Sequence, residues 1–388
     1  MTPRYRKNRN PILEQTQMPQ SALSGKPQLA PLVRRIPLAI AALTLAVAGL
    51  TACGGDSKPV NAPPSASSSG APTESASPAP SESSSPALAF TAPLTGLPIE
   101  QPVNKRPLTV MINNLKPARP QSGLSHADMV WEILAEGGIT RLVGFFQSNE
   151  SSDPIGPIRS IRPYLIELGQ IYGGVLVHAG ASNDALAILQ RNKKIPDLDE
   201  INNAGAYFYR DKSRKAPHNL YSTAEKLRAG AEHRKIETNV PLPQLIFDSN
   251  PDLSGAAPAS EIGIKFELSD YKVSYTYDAS ASKYKRSING QPHVDKNNNE
   301  QLTATNLVVI ATKHKTYDSY GRLEIDLNGG GEALVFQQGR VISCTWEHSQ
   351  GDAVRLMKDG KELPMIPGVT YFHVVPNSKP ISSHVTYQ

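Results

Sequence analysis

Leu142-Val143-Gly144-Phe145-Phe146, Gly156-Pro157-Ile158-Arg159-Ser160-Ile161-Arg162-Pro163 and Val175-Leu176-Val177-His178 together decide how the chain folds. The first and last are apolar runs of strand length, and the middle one is a proline-bounded loop carrying two arginines. A helix is expected over residues 164–171, so the order is strand, loop, helix, strand. Upstream, Leu108-Thr109-Val110-Met111-Ile112 reads as a buried strand ending in the polar pair Asn113-Asn114. Ser125 with Asp128 three residues on, the apolar Val130, Ile133 and Leu134, and the closing Gly137-Gly138 predict a helix over residues 125–136. Downstream, Ala179-Gly180-Ala181 turns into a helix near Ser182, and Ser222-Thr223-Ala224-Glu225 opens a last helix through His233. Alternating strand and helix predict an α/β N-terminal domain with a mainly parallel sheet over residues 92–248.

The pattern changes after Pro241. Residues 249–258 read as a turn-rich linker, and beyond them Tyr271, Val273, Tyr275 and Tyr277 fall on one face of a strand. Further strands are expected over residues 307–311, 323–327, 333–336, 341–346, 354–357 and 371–375, with hairpin turns at Asn289-Gly290 and Asp359-Gly360. These predict an all-β C-terminal domain over residues 249–388, an antiparallel sandwich or barrel.

The net charge of +5 belongs to one end of the chain. Residues 1–52 carry seven basic residues against Glu14, a local charge of +6, which leaves the remainder at −1. Nucleic acid is therefore not an expected partner. Arg34-Arg35 precede an apolar run over residues 36–50, of the length of a secretory signal core and too short to span a bilayer comfortably. The run ends in Leu50-Thr51-Ala52-Cys53, which resembles the lipobox of bacterial lipoproteins. That resemblance implies a signal peptide over residues 1–52, acylation of Cys53 and anchoring in the lipid bilayer on the extracytoplasmic side of the cell membrane. Residues 53–91 are rich in Ser, Pro and Ala and are expected to form a disordered tether. Cys344, the other cysteine, lies in a strand-like run and is expected to pack rather than react.

The segments Val110-Met111-Ile112-Asn113-Asn114, Ala118-Arg119-Pro120-Gln121-Ser122-Gly123-Leu124, Glu136-Gly137-Gly138-Ile139-Thr140-Arg141, the arginine loop and Ala216-Pro217-His218-Asn219 resemble the YerB-like bacterial lipoproteins. The resemblance runs from residue 93 to residue 377 and includes a separate C-terminal family domain. It implies an architecture and a location. It assigns no reaction, since the family is one of unknown function.

For chemistry, Asp128, Glu132 and Glu136 recur every four residues and would repel along one face of the expected helix. They are candidate acidic partners for Arg141, Arg159 or Arg162. Those three arginines with Arg119, Asn113 and Asn114 are the candidate ligand-binding set, because guanidinium offers paired donors to carboxylate or phosphate. An alternative is that the arginines only neutralise the acids. His178 and His218 are the weak catalytic candidates. There is no G-x-S-x-G elbow, H-E-x-x-H helix or Walker loop, and no cofactor or metal is expected. The reading is an extracytoplasmic lipoprotein that binds an anionic or polar cell-envelope ligand. A hydrolase or transferase acting on envelope glycan or phosphodiester, and a scaffold recruiting an envelope protein, stand as alternatives. Replacing Cys53 with alanine is expected to abolish incorporation of labelled palmitate and move the protein out of the membrane fraction; label retained by the variant would refute acylation there.

Overall fold

The structure is a computed structural model in which residues 90–388 are described. The signal peptide, Cys53 and all but the last two residues expected in the tether lie outside the described residues. Those two, Phe90 and Thr91, pair with Pro98 and Ile99 as a short ribbon and are not tether.

Strands buried on both faces read as unbroken apolar runs, and those runs build the centre of the fold. In chain order they are β1 (Leu108–Asn113), β2 (Met129–Leu134), β3 (Thr140–Phe146), α1 (Pro163–Ile171), β4 (Val175–His178), α2 (Asn183–Arg191), β5 (Asp197–Asp199) and α3 (Ala224–His233). The later chain adds β6 (Glu261–Lys265), β7 (Lys272–Asp278), β8 (Lys283–Ile288), β9 (Asn306–Thr312), β10 (Gly329–Gln337), β11 (Arg340–His348), β12 (Arg355–Lys358), β13 (Lys361–Glu362), β14 (Thr370–Pro376) and β15 (Val385–Tyr387). Eleven of them run side by side in the order β13-β12-β11-β10-β9-β14-β2-β3-β1-β4-β5, with Ala257–Pro258 beside β11 as a twelfth. The described part is therefore mostly β with few helices, and among the described residues no helix is long and apolar enough to cross a membrane.

The expected helix over residues 125–136 is a correction. Leu124–His126 form a single 3-10 turn, and β2 follows with all six residues buried. Trp131 and Ile133 fill one face of the sheet while Glu132 points to the other, so apolar residues are needed on both sides of the alternation. The four-residue recurrence of acids that suggested a helix is equally a multiple of the strand period. It places Asp128 and Glu132 on one face but about 13 Å apart. The other helices stand where expected, α2 capped by Ser182 and α3 by Thr223 rather than Ser222.

The sheet does not stop where an α/β domain was expected to give way to an all-β one. β14 lies parallel to β2, from Thr370 beside Met129 to Val374 beside Ile133, and on its other edge parallel to β9. Trp131 stacks on Phe372 across that seam at 4.1 Å and 3°. The second sheet, β8-β7-β6-β15 with two short flanking strands, packs on the Glu132 side and stays open, so no barrel closes among the described residues. Its turns obey the sequence: Asn289 and Gly290 have φ of 52° and 74°, Asp359 and Gly360 51° and 76°, the left-handed pair a two-residue hairpin requires. Cys344 packs as expected, with burial pushing its thiol up to about 12.

Cutting the chain after residue 248 strips β14 from β2 and leaves a fully apolar edge strand with an unpaired backbone. A fragment of residues 90–248 is expected to aggregate when produced alone and to be recovered in solution when co-produced with residues 249–388. A monomeric fragment 90–248 with native-like amide dispersion in NMR would show the halves to be independent.

Candidate functional site

The carboxyl ends of β1 and β4 are where polar residues gather. The two strands pair only from Leu108 to Val110 against Val175 to Val177, then part. The arginine loop fills the gap: Arg159 N–H donates to Met111 O at 2.8 Å, Ala179 N–H to Arg159 O at 3.1 Å, and Ile161 N–H to Gly180 O at 3.0 Å. Ile158 and Ile161 are buried anchors, with Arg159 and Ser160 half-buried between them. The loop enters through Gly156, where φ is +151° and a Cβ would stand 2.7 Å from Leu220 O, so only glycine fits.

The four arginines have different fates. Arg162 is committed: it grips Glu136 through Nε and, at 2.8 Å, through a second nitrogen, and spends its third on Ser160 Oγ and Ile161 O. Arg141 is buried, donates to Ser160 O, and has no carboxylate within ion-pair reach among the described residues. Burial, with Arg162 alongside, pushes it down to about 10. Arg159 makes no side-chain hydrogen bond or ion pair among the described residues, and its Nε is buried without a partner. Burial and then the nearby charges of Arg162 and Arg210 lower it, yet it stays a cation. Arg119 belongs elsewhere. It donates to Asn114 O at 2.9 and 3.0 Å and lies over the Tyr271 ring at 4.7 Å, on the rim of a separate hollow of about 490 Å³.

Of the four guanidiniums near the loop, counting Arg210, Arg162 pairs with Glu136 and Arg210 with Glu200 at 3.1 Å, while Arg141 and Arg159 have no carboxylate partner among the described residues. The loop keeps a surplus of positive charge. His218 sits beside it, its Nδ1 2.8 Å from the Asn113 amide nitrogen, so the ring accepts there and carries its proton on Nε2. Burial and the charges of Arg159 and Arg214 lower its pKa, which keeps it neutral at pH 7. His178 is fully buried, 3.6 Å from both Asp197 and Asp199, and presents nothing to solvent.

The acids expected to answer the arginines as one stripe are divided. Glu136 does so. Asp128 is buried and accepts from the backbone of Gln147 at 2.6 Å and Ser148 at 3.0 Å, with no arginine partner among the described residues. Glu132 is fully buried and pairs with an arginine the sequence did not offer, Arg286 of β8, at 2.7 Å. Its other oxygen accepts from Tyr271 OH at 2.5 Å and Thr140 Oγ1 at 2.7 Å. Arg286 also donates to Tyr275 OH at 2.6 Å and His293 Nδ1 at 2.9 Å. His293 donates its Nε2–H to Gln121 Oε1 at 2.7 Å, and Gln121 donates to Asn113 O at 3.0 Å and Asn114 Oδ1 at 2.9 Å. An unbroken set of hydrogen bonds thus joins the buried pair to Asn113 and, through its amide, to His218. The only signal for Arg286 was the Tyr271, Tyr275 alternation; Lys283-Tyr284-Lys285-Arg286 itself looks like an exposed charged strand.

The fold is thus a large mixed sheet with a polar loop wedged between parting parallel strands, and sequence comparison makes the family definite. The chain belongs to a family of proteins of unknown function, DUF3048, whose N-terminal domain matches residues 94–237 and whose C-terminal domain matches residues 262–372. It is 36% identical over 292 residues to YerB of Bacillus subtilis (strain 168), a candidate lipoprotein, over 74% of this chain and 86% of that protein. The crystal structure of the Bacillus subtilis YerB protein is similar with a TM-score of 0.70 at 33% identity, over 77% of this chain and 99% of that one. The family resemblance read from the sequence is thereby shown.

Burial raises the Glu132 carboxyl, but Arg286, His373 and Tyr271 together outweigh it and hold the group well below the usual carboxylate range. A depressed carboxylate stabilises the fold above its ordinary pKa, and that contribution drains away as pH falls below about 4. Glu132→Gln strands a guanidinium that cannot lose its charge and is expected to cost about 3–5 kcal/mol throughout pH 4 to 8. Arg286→Met strands a carboxylate that can take up a proton, so this variant's deficit should shrink toward pH 4. Thermal unfolding of both variants between pH 4 and 8 checks this; parallel pH profiles would refute the pairing.

Proposed function

We propose that this chain is a lipid-anchored protein of the bacterial envelope whose head binds an anionic ligand on the arginine loop. The single observation that carries the reading is Arg159, a half-buried cation without a protein partner among the described residues, beside Arg141, another without a carboxylate. Unpaired buried cations are costly, and an incoming phosphate or carboxylate would meet paired donors there. Asn113, held by Gln121 and His218, borders the same place. Asn114 and Arg119 would serve the neighbouring hollow instead. In this reading residues 92–248, which hold the three α-helices of the described residues, supply the α/β part and the site, and the strands of residues 249–388 brace it through the shared sheet, β14 lying parallel to β2. Anchoring through acylated Cys53 on the outer face of the membrane is supported by the lipobox-like Leu50-Thr51-Ala52-Cys53 and by what the name of its Bacillus relative says of that protein.

Binding is favoured over catalysis because neither histidine is placed as a base. His178 is sealed between two aspartates, and His218 has its lone pair occupied by Asn113. Titration of inorganic phosphate is expected to shift the Arg159 guanidinium resonances. Arg159→Ala should weaken binding about tenfold or more with the melting temperature little changed, whereas Arg162→Ala should lower the melting temperature because Glu136 loses its partner. Affinity unaltered in Arg159→Ala would end the proposal.

A further inference from the structure

After β9 the chain leaves the large sheet as a two-stranded arm, His314–Thr316 against Leu323–Ile325, whose strands pair only with each other. Such a ribbon is at best marginally stable by itself. The second strand of the arm lies along α1, and a cleft of about 950 Å³ opens between the arm and the two helices α1 and α2. A smaller cleft of about 410 Å³ lies on the arm's opposite side, against Phe266 and His384, so the arm has free space on both flanks. Two side-chain contacts clasp the larger cleft: the Tyr317 phenol donates to Asp184 of α2 at 2.5 Å, and the Asn328 amide donates to Glu167 of α1.

The lining of this cleft selects a chemistry. Glu167, Asp184, Glu324 and Asp326 outnumber Lys313 and Lys315, which disfavours a polyanion. Burial raises the Glu167 carboxyl, so the wall is a weaker field than four full charges. Gln170 and Asn328 add groups that both donate and accept. Ile166 and Ile188 from the helices and Leu323 and Ile325 from the arm form apolar strips between them, and Tyr317 is 40% exposed at the rim. Apolar strips, an aromatic face and hydrogen-bonding groups of both kinds suit a sugar ring, which offers C–H faces and hydroxyls that donate and accept at once. The volume lies within the range of small-ligand clefts, about 300–1,000 Å³.

We propose that this cleft is a binding site for an uncharged oligosaccharide, with the arm as its lid. The site draws one wall from each family domain and is separate from the arginine loop, although Pro163 at its edge directly follows Arg162. Sugar binding pulls the arm toward α1 and slows its backbone exchange.

The test is calorimetric titration of the full chain with neutral tetrasaccharides of N-acetylglucosamine, β-linked glucose and α-linked glucose. At least one is expected to bind, and Tyr317→Ala to weaken it about fivefold or more. Tyr317→Phe keeps the ring but loses the Asp184 clasp, so it should keep most of the affinity while speeding amide exchange in residues 314–325. Arg159→Ala should leave sugar binding unchanged, which separates this site from the anion site. Absence of binding by all three sugars at millimolar concentration, equal affinity in Tyr317→Ala, or displacement of the sugar by poly(glycerol phosphate) would overturn the proposal.

Discussion

One ion pair holds the two ends of the chain's logic together. Glu132 and Arg286 are fully buried, 2.7 Å apart, and come from strands 154 residues distant in sequence. Each would be costly alone in a water-free interior, and the mutual attraction offsets that because most of the remaining lone pairs and protons have partners nearby. Tyr271, Tyr275, Thr140 and His293 supply those partners. The small sheet can therefore sit on the large one in a single register, since a shift of one residue in β8 would turn Arg286 outward and bury Lys285 or Ser287 in its place.

From this pair the polar groups extend outward in order of accessibility. His293 and Gln121 carry the hydrogen bonds to Asn113 and Asn114 at the end of β1, and Asn113 reaches His218 beside the arginine loop. The loop's backbone replaces the pairing that β1 and β4 abandon, leaving Arg159 half-buried on a wedge whose isoleucines face in. Preorganisation of this kind removes the ordering cost that a flexible cationic loop would meet on binding.

Much of this was legible in advance. Val110, Val143 and Val177 sit at the centres of runs that only a buried strand can use, and the Asn-Gly and Asp-Gly hairpins follow from left-handed backbone preference. The failure at residues 125–136 has a definite cause. Four-residue spacing of Asp128, Glu132 and Glu136 fits helix and strand alike, and glycines after Ala135 end either element. Trp131 was the unused clue, a bulky residue opposite the acids where an exposed helix would place polar groups. The tyrosine alternation of β7 marked a buried face but did not single out Arg286, because a buried charge differs from an exposed one only in its partner.

The chain alone settles the strand runs and the turns, because these depend on neighbours within about ten residues. It does not settle that β14 returns to lie against β2, that Glu132 meets Arg286, or that Arg162 is consumed by Glu136 while Arg159 is left without a partner. Those outcomes rest on contacts across tens to hundreds of residues, chosen by which pairing buries the most apolar surface with no charge left uncompensated. Local propensity has no access to that balance, and only the assembled sheet decides it.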